Sequence, residues 1–247
     1  MLKLITLNIE TDKHYNRWLP FLAEEKADII CLQEVPKSVL SRIQALGFKT
    51  SFAPMFRKNL DTAADDEIGV ALASKLPYSI HEVYYGGSQA DLNFSTGTGT
   101  DLGSAFVYLM AEVQTDGKIY RVGTTHMHNT KNGAADEIQN QLMDRMLSAL
   151  KQEKSHCICG DFNMPRGFNE LYDLVTKDYT DAIPQHYKSS LDRDLHRAGK
   201  MQIDQPIFDC FMVDYVFTQR PYLAKIEKLQ FSVSDHAAVV GYLDISD

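Results

Sequence analysis

No apolar run in this sequence approaches the roughly 20 residues that span a bilayer, so a helical membrane span is not expected. The opening residues 1–8 are too short for a secretory leader and run directly into a strand pattern. Cysteine is sparse, with four in 247 residues. Cys31, Cys157 and Cys159 lie in apolar runs, where a thiol behaves as a small buried hydrophobe. Cys157 and Cys159 lack the CxxC spacing of redox or zinc sites, and a reduced, cytoplasmic setting is the expectation. Internal repeats, low-complexity tracts and linkers are missing, so one domain over residues 1–247 is expected. A basic excess is missing too: 25 Lys and Arg face 33 Asp and Glu, for a formal charge of −8. Proteins that grip long nucleic acid non-specifically usually carry a basic face. Here the one dense basic cluster is Arg193, His196, Arg197 and Lys200. It could hold a phosphate, but its simplest reading is a solvated loop or helix face. Charge does not exclude a polyanionic substrate, because carboxylates clustered around a cation also lower the net charge.

With 44% hydrophobic and 23% charged residues, the composition is that of a soluble globular protein. Apolar strand-like runs alternate with helical spacing, the pattern of an α/β domain. The central stretch is Cys157-Ile158-Cys159-Gly160-Asp161-Phe162-Asn163. Its apolar run stops at a glycine and delivers a carboxylate and an amide onto a loop that Pro165 closes. In open α/β sheets ligands bind beyond the carboxyl ends of the strands. There Asp161 can take a proton from water and Asn163 can donate to an oxyanion; in isolation, two turn residues are an equal reading.

Other runs end in the same way. Residues 2–8 end on Asn8, and 27–34 end on Gln33-Glu34. A hairpin of 105–113 and 118–125, turning at Asp116-Gly117, leads into His126, His128 and Asn129. Residues 68–74 form a further strand, and 211–217 form an apolar strand interrupted by Asp214. A buried acid needs a partner, and Ser234-Asp235-His236, ahead of a last strand over 237–243, offers one. Helices are expected over 15–22 (kinked at Pro20, or starting only near Trp18), from Pro36 to 46, over 133–150 and over 168–175. Residues 52–67 read as an irregular acidic loop, and 86–103 as a mobile flap beside a substrate cleft.

The ordered set Asn8, Gln33-Glu34-Val35, Thr125-His126, Gly160-Asp161-Phe162-Asn163, Val213-Asp214-Tyr215 and Ser234-Asp235-His236 resembles the endonuclease/exonuclease/phosphatase superfamily. That superfamily includes apurinic endonucleases, DNase I-type nucleases, sphingomyelinases, inositol polyphosphate 5-phosphatases and deadenylases. The resemblance implies a four-layered α/β sandwich, two packed mixed β-sheets flanked by helices, with the site at one edge. It also implies a divalent-metal-dependent hydrolase of phosphoester bonds. Glu34 would be the principal ligand of Mg²⁺ or Mn²⁺, with Asn8 and Asp235 contributing directly or through water. Asp161 would orient or deprotonate the attacking water while Asn163 holds a nearby oxygen. His236, steered by Asp214, would donate to the phosphate. His126 would contact the phosphate or assist the leaving group, and Asn129 would touch the substrate.

The chain departs from the family pattern in two places. Ala237-Ala238 follow Ser234-Asp235-His236 where many members carry a proline, and no basic residue stands just before Val213-Asp214. Neither the basic, aromatic-rich insertions of a duplex-DNA enzyme nor an apolar membrane-docking hairpin is present. The substrate therefore stays open between nucleic-acid or nucleotide phosphodiesters, favoured through His126 and Asn129, and inositol phosphates or phospholipid headgroups. A non-catalytic binding protein of the same fold is the alternative class; loss of Glu34, Asp161 or His236 would mark it, and all three are present. A zinc site on His126 and His128, which share a strand face, lacks further ligands in the sequence. A monomer is the expected state.

Overall fold

The computed structural model describes residues 1–95, 105–201 and 207–246. In chain order its elements are β1 (Leu2–Asn8), α1 (Tyr15–Glu25), β2 (Ile29–Pro36), α2 (Leu40–Gln44), β3 (Lys49–Lys58), β4 (Asp66–Ser74), β5 (Tyr78–Gly86), β6 (Phe106–Thr115), β7 (Lys118–His126), α3 (Glu137–Leu150), β8 (Cys157–Asp161), α4 (Glu170–Val175), β9 (Thr180–Asp181), α5 (Arg197–Lys200), α6 (Ile207–Cys210), β10 (Asp214–Thr218), β11 (Tyr222–Gln230) and β12 (Ala238–Ile245). The strands form two six-stranded mixed sheets, ordered β11-β12-β1-β2-β4-β3 and β5-β6-β7-β8-β10-β9.

The period-two alternation of side chains explains the layering. Along β1, Leu2 and Leu4 join a cluster shared by both sheets, with Val122 of β7 and Cys159 of β8. Ile5 and Leu7 point the other way, against Trp18 and Leu22 of α1. β2 repeats the division: Ile29 and Cys31 face the second sheet, while Ile30 and Leu32 face the helices. Each such fully buried side chain contributes about 1.5–3 kcal/mol of transfer free energy. The second sheet is covered by Leu142, Met143 and Met146 of α3 and by Tyr172 of α4, whose ring lies 5.5 Å from that of Tyr215 on β10. Helices, sheet, sheet, helices make the four-layered α/β sandwich. Among the described residues no helix is long and apolar enough to cross a membrane.

Several elements differ from the sequence expectation. Residues 52–58 belong to β3 and are not an irregular loop. Pro54 is tolerated because β3 is an edge strand, and the register shifts between Pro54 and Phe56. Strands β5 and β11 were not anticipated, and they too are edges. Pro36 ends β2 in an extended conformation (φ −69°, ψ 137°) and a 3-10 turn at Lys37–Val39 follows, so the helix begins only at Leu40. Pro20 is exposed and lies inside α1, which runs through it. The helix expected from 133 starts at Glu137, where the Asp136 carboxylate caps it by accepting from Gln139 N at 2.8 Å. Asp214 opens β10 and does not interrupt it. Of the expected flap, residues 89–91 form a 3-10 turn and Phe94 bridges to Arg57, while 96–104 lie outside the described residues.

One glycine sets the approach of two strands at the site. Gly160 has φ +139°, and a Cβ there would lie 2.0 Å from the carbonyl oxygen of Thr125, its pair on β7. That oxygen cannot retreat without opening the β7–β8 ladder. Gly160→Ala is therefore expected to cost at least about 3 kcal/mol, read as a lower urea midpoint. An unchanged midpoint would show that the ladder yields at this position.

Candidate active site

The parallel pairs β1–β2 and β7–β8 carry their carboxyl ends to one edge of the sandwich. There the register sets His126 of β7 beside Asp161 of β8, and Asp161 beside Asp214 of β10. Three of the candidate side chains thus stand in one row across three strands. Glu34 sits where the pairing of β2 with β4 shifts register between Leu32 and Val35, and its φ is +54°. Glu10, Thr11 and Asn163 also have positive φ, at 51°, 62° and 51°, and with Glu34 all four line one cavity. Non-glycine residues in this region store strain that the surrounding structure must hold, so their gathering at one cavity marks a functional site.

Asp161 is the hub. It is 2% exposed, and its Oδ1 accepts from Asn163 N at 3.0 Å. Its Oδ2 accepts from Asn8 Nδ2 at 3.1 Å and lies 3.6 Å from His126 Nε2 and 3.8 Å from His236 Nε2. Burial raises its pKa, with the nearby histidines acting in the opposite direction. Asn8 Nδ2 also reaches Glu34 Oε1 at 3.3 Å, while its carbonyl accepts from Glu10 N at 3.1 Å. That carbonyl keeps a second lone pair for a cation or water. Asn163 Nδ2 donates to Met127 O at 2.9 Å and lies 3.3 Å from His126 Nε2.

His236 Nδ1 is 2.7 Å from Asp214 Oδ2, with both side chains buried. Burial alone would lower the pKa of His236, but the carboxylates of Asp214 and Asp161 outweigh it and hold the ring cationic well above the ordinary 6.5. His126 goes the other way: burial lowers its pKa, Asp161 compensates only in part, and its Nδ1 has no partner. One site therefore holds a cationic imidazole and a neutral one. Asp235 is pushed up to about 7, first by burial and then by Glu10 and Glu34, against the pull of His236. Glu34 is likewise raised by burial.

These crowded carboxylates fit a hard divalent cation, which would offset their desolvation and mutual repulsion. The tightest group of ligand-type atoms among the described residues is Asp161, Asp214 and His236, within 4.8 Å of one another. There the 2.7 Å bond already occupies His236 Nδ1, while Glu34 and Asp235 are further carboxylates lining the same cavity.

Asn129 lines the same cavity and is exposed. Gln33 lies deeper and ties the two sheets together, donating to Thr6 Oγ1 at 3.1 Å and Thr124 Oγ1 at 2.9 Å. His128 packs against Phe106 and reaches Asp136 at 3.3 Å, away from His126, so the two histidines do not form a zinc site. The basic cluster divides. Arg193 pairs with Asp209 and covers Phe208, whereas His196, Arg197 and Lys200 line the cavity. The expected solvated face is thus partly cavity wall. Burial lowers the His196 pKa to about 4, so this wall carries a neutral ring.

Sequence reading also missed Glu10, whose carboxylate bonds Lys13 and His14. It missed Ser190 as well. Ser190 Oγ accepts from the backbone N–H groups of Val213 and Asp214 at 3.2 Å each, and Ser190 O accepts from Ala237 N at 2.7 Å. This one serine fixes the backbone beside both members of the Asp214–His236 pair. No local pattern announced it, since its partners are distant in sequence.

A sequence model of the Endonuclease/Exonuclease/phosphatase family matches residues 5–236. No curated protein sequence matches the chain significantly. Among solved structures, an endonuclease/exonuclease/phosphatase protein from Bacteroides vulgatus is 18% identical, with 99% of each chain covered and a TM-score of 0.68. The human Nocturnin catalytic domain, solved with bound sulfate, is 14% identical, covering 99% of this chain and 93% of its own, with a TM-score of 0.68. A Staphylococcus aureus beta toxin variant with bound magnesium ions is 17% identical, covering 98% and 99%, with a TM-score of 0.63.

Proposed function

This chain belongs to the endonuclease/exonuclease/phosphatase family, and from that membership we propose that it is a Mg²⁺- or Mn²⁺-dependent phosphoesterase acting on nucleotide or nucleic-acid phosphodiesters. The observation that carries the reading is the convergence on Asp161 of Asn8, Asn163, His126 and His236, contributed by separate strands and loops of both sheets. Glu34 and Asp235 would hold the cation, with Asn8 completing the set through its free lone pair. When bound, that cation polarises a phosphoryl oxygen and offsets the charge that develops on it.

The chain's own groups do the rest. Asp161, fixed through both oxygens, aligns a water against phosphorus and takes its proton. His236, cationic against Asp214, donates to the phosphoryl oxygens as negative charge builds on them. Asn163 offers its amide to the same centre, and the neutral His126 faces the leaving side. Asn129 contacts the substrate at the rim.

Activity with a panel of divalent cations against oligonucleotides, nucleotides, inositol phosphates and sphingomyelin tests the proposal. Hydrolysis confined to inositol phosphates or to sphingomyelin, or equal activity in excess chelator, would reject it. For the cation itself, Glu34→Gln removes the charged ligand but keeps the shape. Calorimetry is expected to show Mg²⁺ affinity lowered at least about tenfold, the loss of roughly one charge-assisted contact. Unchanged affinity would remove Glu34 from the site.

A further inference from the structure

The cleft continues past Asp161 in two directions, and its two lobes differ in chemistry. One, of about 580 Å³, carries the cations Lys58, Arg197 and Lys200 besides the carboxylates described above. Lys13 in this lobe is bonded to Glu10, but among the described residues Lys58, Arg197 and Lys200 have no side-chain ion-pair partner. A phosphodiester carries one negative charge, and His236 already meets it. Lys58 lies close enough to Glu34 to favour its charged form, so Arg197 and Lys200 are the cations that exceed what the scissile group needs.

The second lobe, of about 520 Å³, shares Asn129, Asn163, His196 and His236 with the first. Beyond these shared polar groups, Asn132 and Cys210, its walls are apolar, with Leu191, Ile207, Val213, Phe168 and Phe211. Phe168 is 55% exposed, and its ring lies 6.1 Å from that of Phe211, tilted by 37°. Phe211 is seated on Gly133 (φ +72°), where a Cβ would come within 2.9 Å of its ring. The aromatic wall is therefore positioned by a close backbone approach, yet left uncovered.

An inositol ring offers two phenylalanines only the axial C–H groups between its hydroxyls, a smaller and less planar face than a base. A choline headgroup could lie on the aromatic wall, but a choline lipid brings no second anionic group for Arg197 and Lys200. A nucleotide offers what both lobes require: a planar base that stacks on aromatic rings and phosphates for the basic wall. We infer that the cleft takes a nucleotide carrying at least two phosphates, with a base against Phe168 and Phe211 and the phosphate beyond the scissile one on Arg197 and Lys200. This rests on the phosphoesterase reading and narrows its substrate.

The test compares kcat/KM for the thymidine dinucleotide TpT, the same dinucleotide with a terminal 5′-phosphate (pTpT) or 3′-phosphate (TpTp), and analogues in which either thymine is replaced by hydrogen. One of the two terminal phosphates is expected to raise kcat/KM about tenfold or more, the effect of a charge-assisted contact. In R197A/K200A that ratio should fall to near one. Phe168→Ala should shrink the advantage of the intact dinucleotide over one base-less analogue. No advantage from either phosphate, or a ratio that survives in R197A/K200A, overturns the second-phosphate subsite. Faster turnover of glycerophosphoinositol phosphates than of every dinucleotide overturns the nucleotide assignment. Hydrolysis of TpT without these differences defeats this inference alone, whereas no hydrolysis of any phosphoester with Mg²⁺ or Mn²⁺ defeats the phosphoesterase reading and this inference with it.

Discussion

Asp161→Asn is expected to lower kcat by about a thousandfold, within the range that a positioned general base supplies, while the protein unfolds at a similar denaturant concentration. The asparagine keeps the shape, so its side-chain oxygen can still accept one of the two hydrogen bonds that Asn163 N and Asn8 Nδ2 now donate. The other bond is lost, but so is the cost of holding a charged carboxylate that is 2% exposed. Stability therefore changes little. Catalysis does not escape, because a neutral amide cannot accept the proton of an attacking water. Turnover measured at saturating substrate and cation separates the two effects. A variant within tenfold of the parent would remove Asp161 from proton transfer and leave it a structural hub.

The second large effect concerns Asp214 and His236. Asp214→Asn keeps a hydrogen-bonding partner 2.7 Å from His236 Nδ1 but removes its charge. The expected loss in kcat is about a hundredfold or more, with a smaller change in KM. His236→Ala should cost at least as much, and the double variant little more than the worse single one, because the pair acts as a unit. Fully additive losses would show two independent contributions.

The pH dependence follows from the direction of the His236 shift. Asp214 and Asp161 raise its pKa well above 6.5, so the cationic ring persists beyond that pH and is lost only as pH rises through the raised value. The alkaline limb of kcat/KM should therefore move to lower pH in Asp214→Asn. Stability obeys the same sign. The pair's contribution is full below the unfolded pKa near 6.5 and fades as pH rises through the folded value, so parent and variant should converge in stability under alkaline conditions. A limb that stays in place would assign it to another group.

Where the sequence could be read, its signal was strong and local. The buried central strands β1, β2, β8 and β12 are near-continuous apolar runs; β1 and β8 end at, β2 ends just past, and β12 begins just after, a polar residue that no core would accept without a reason. Asn8, Glu34, Asp161 and His236 stood out on those grounds. The strands missed, β3, β5, β9 and β11, are all sheet edges. An edge strand has one unpaired side and a half-exposed face, so it tolerates Pro54 and carries charges such as Glu82, Lys225 and Glu227. Its period-two pattern is diluted to the level of a loop.

The site divides along the same line. The residues that carry the chemistry lie at the ends of legible strands, and with their order along the chain they specified the family and the four-layered sandwich. What no segment contained was the relation between segments. Two sheets, meeting through Gln33, Thr6 and Thr124, set Asn8 against Asp161. The 189–192 segment folds back so that Ser190 pins the strand starts beside Asp214 and His236. The stretch 193–200, whose charges alone described a solvated face, is turned so that Arg197 and Lys200 look into the cleft. Hydrophobic periodicity encodes which face of an element is buried, and this much the sequence determined by itself. The partner across that face depends on long-range packing, which only the tertiary structure decided.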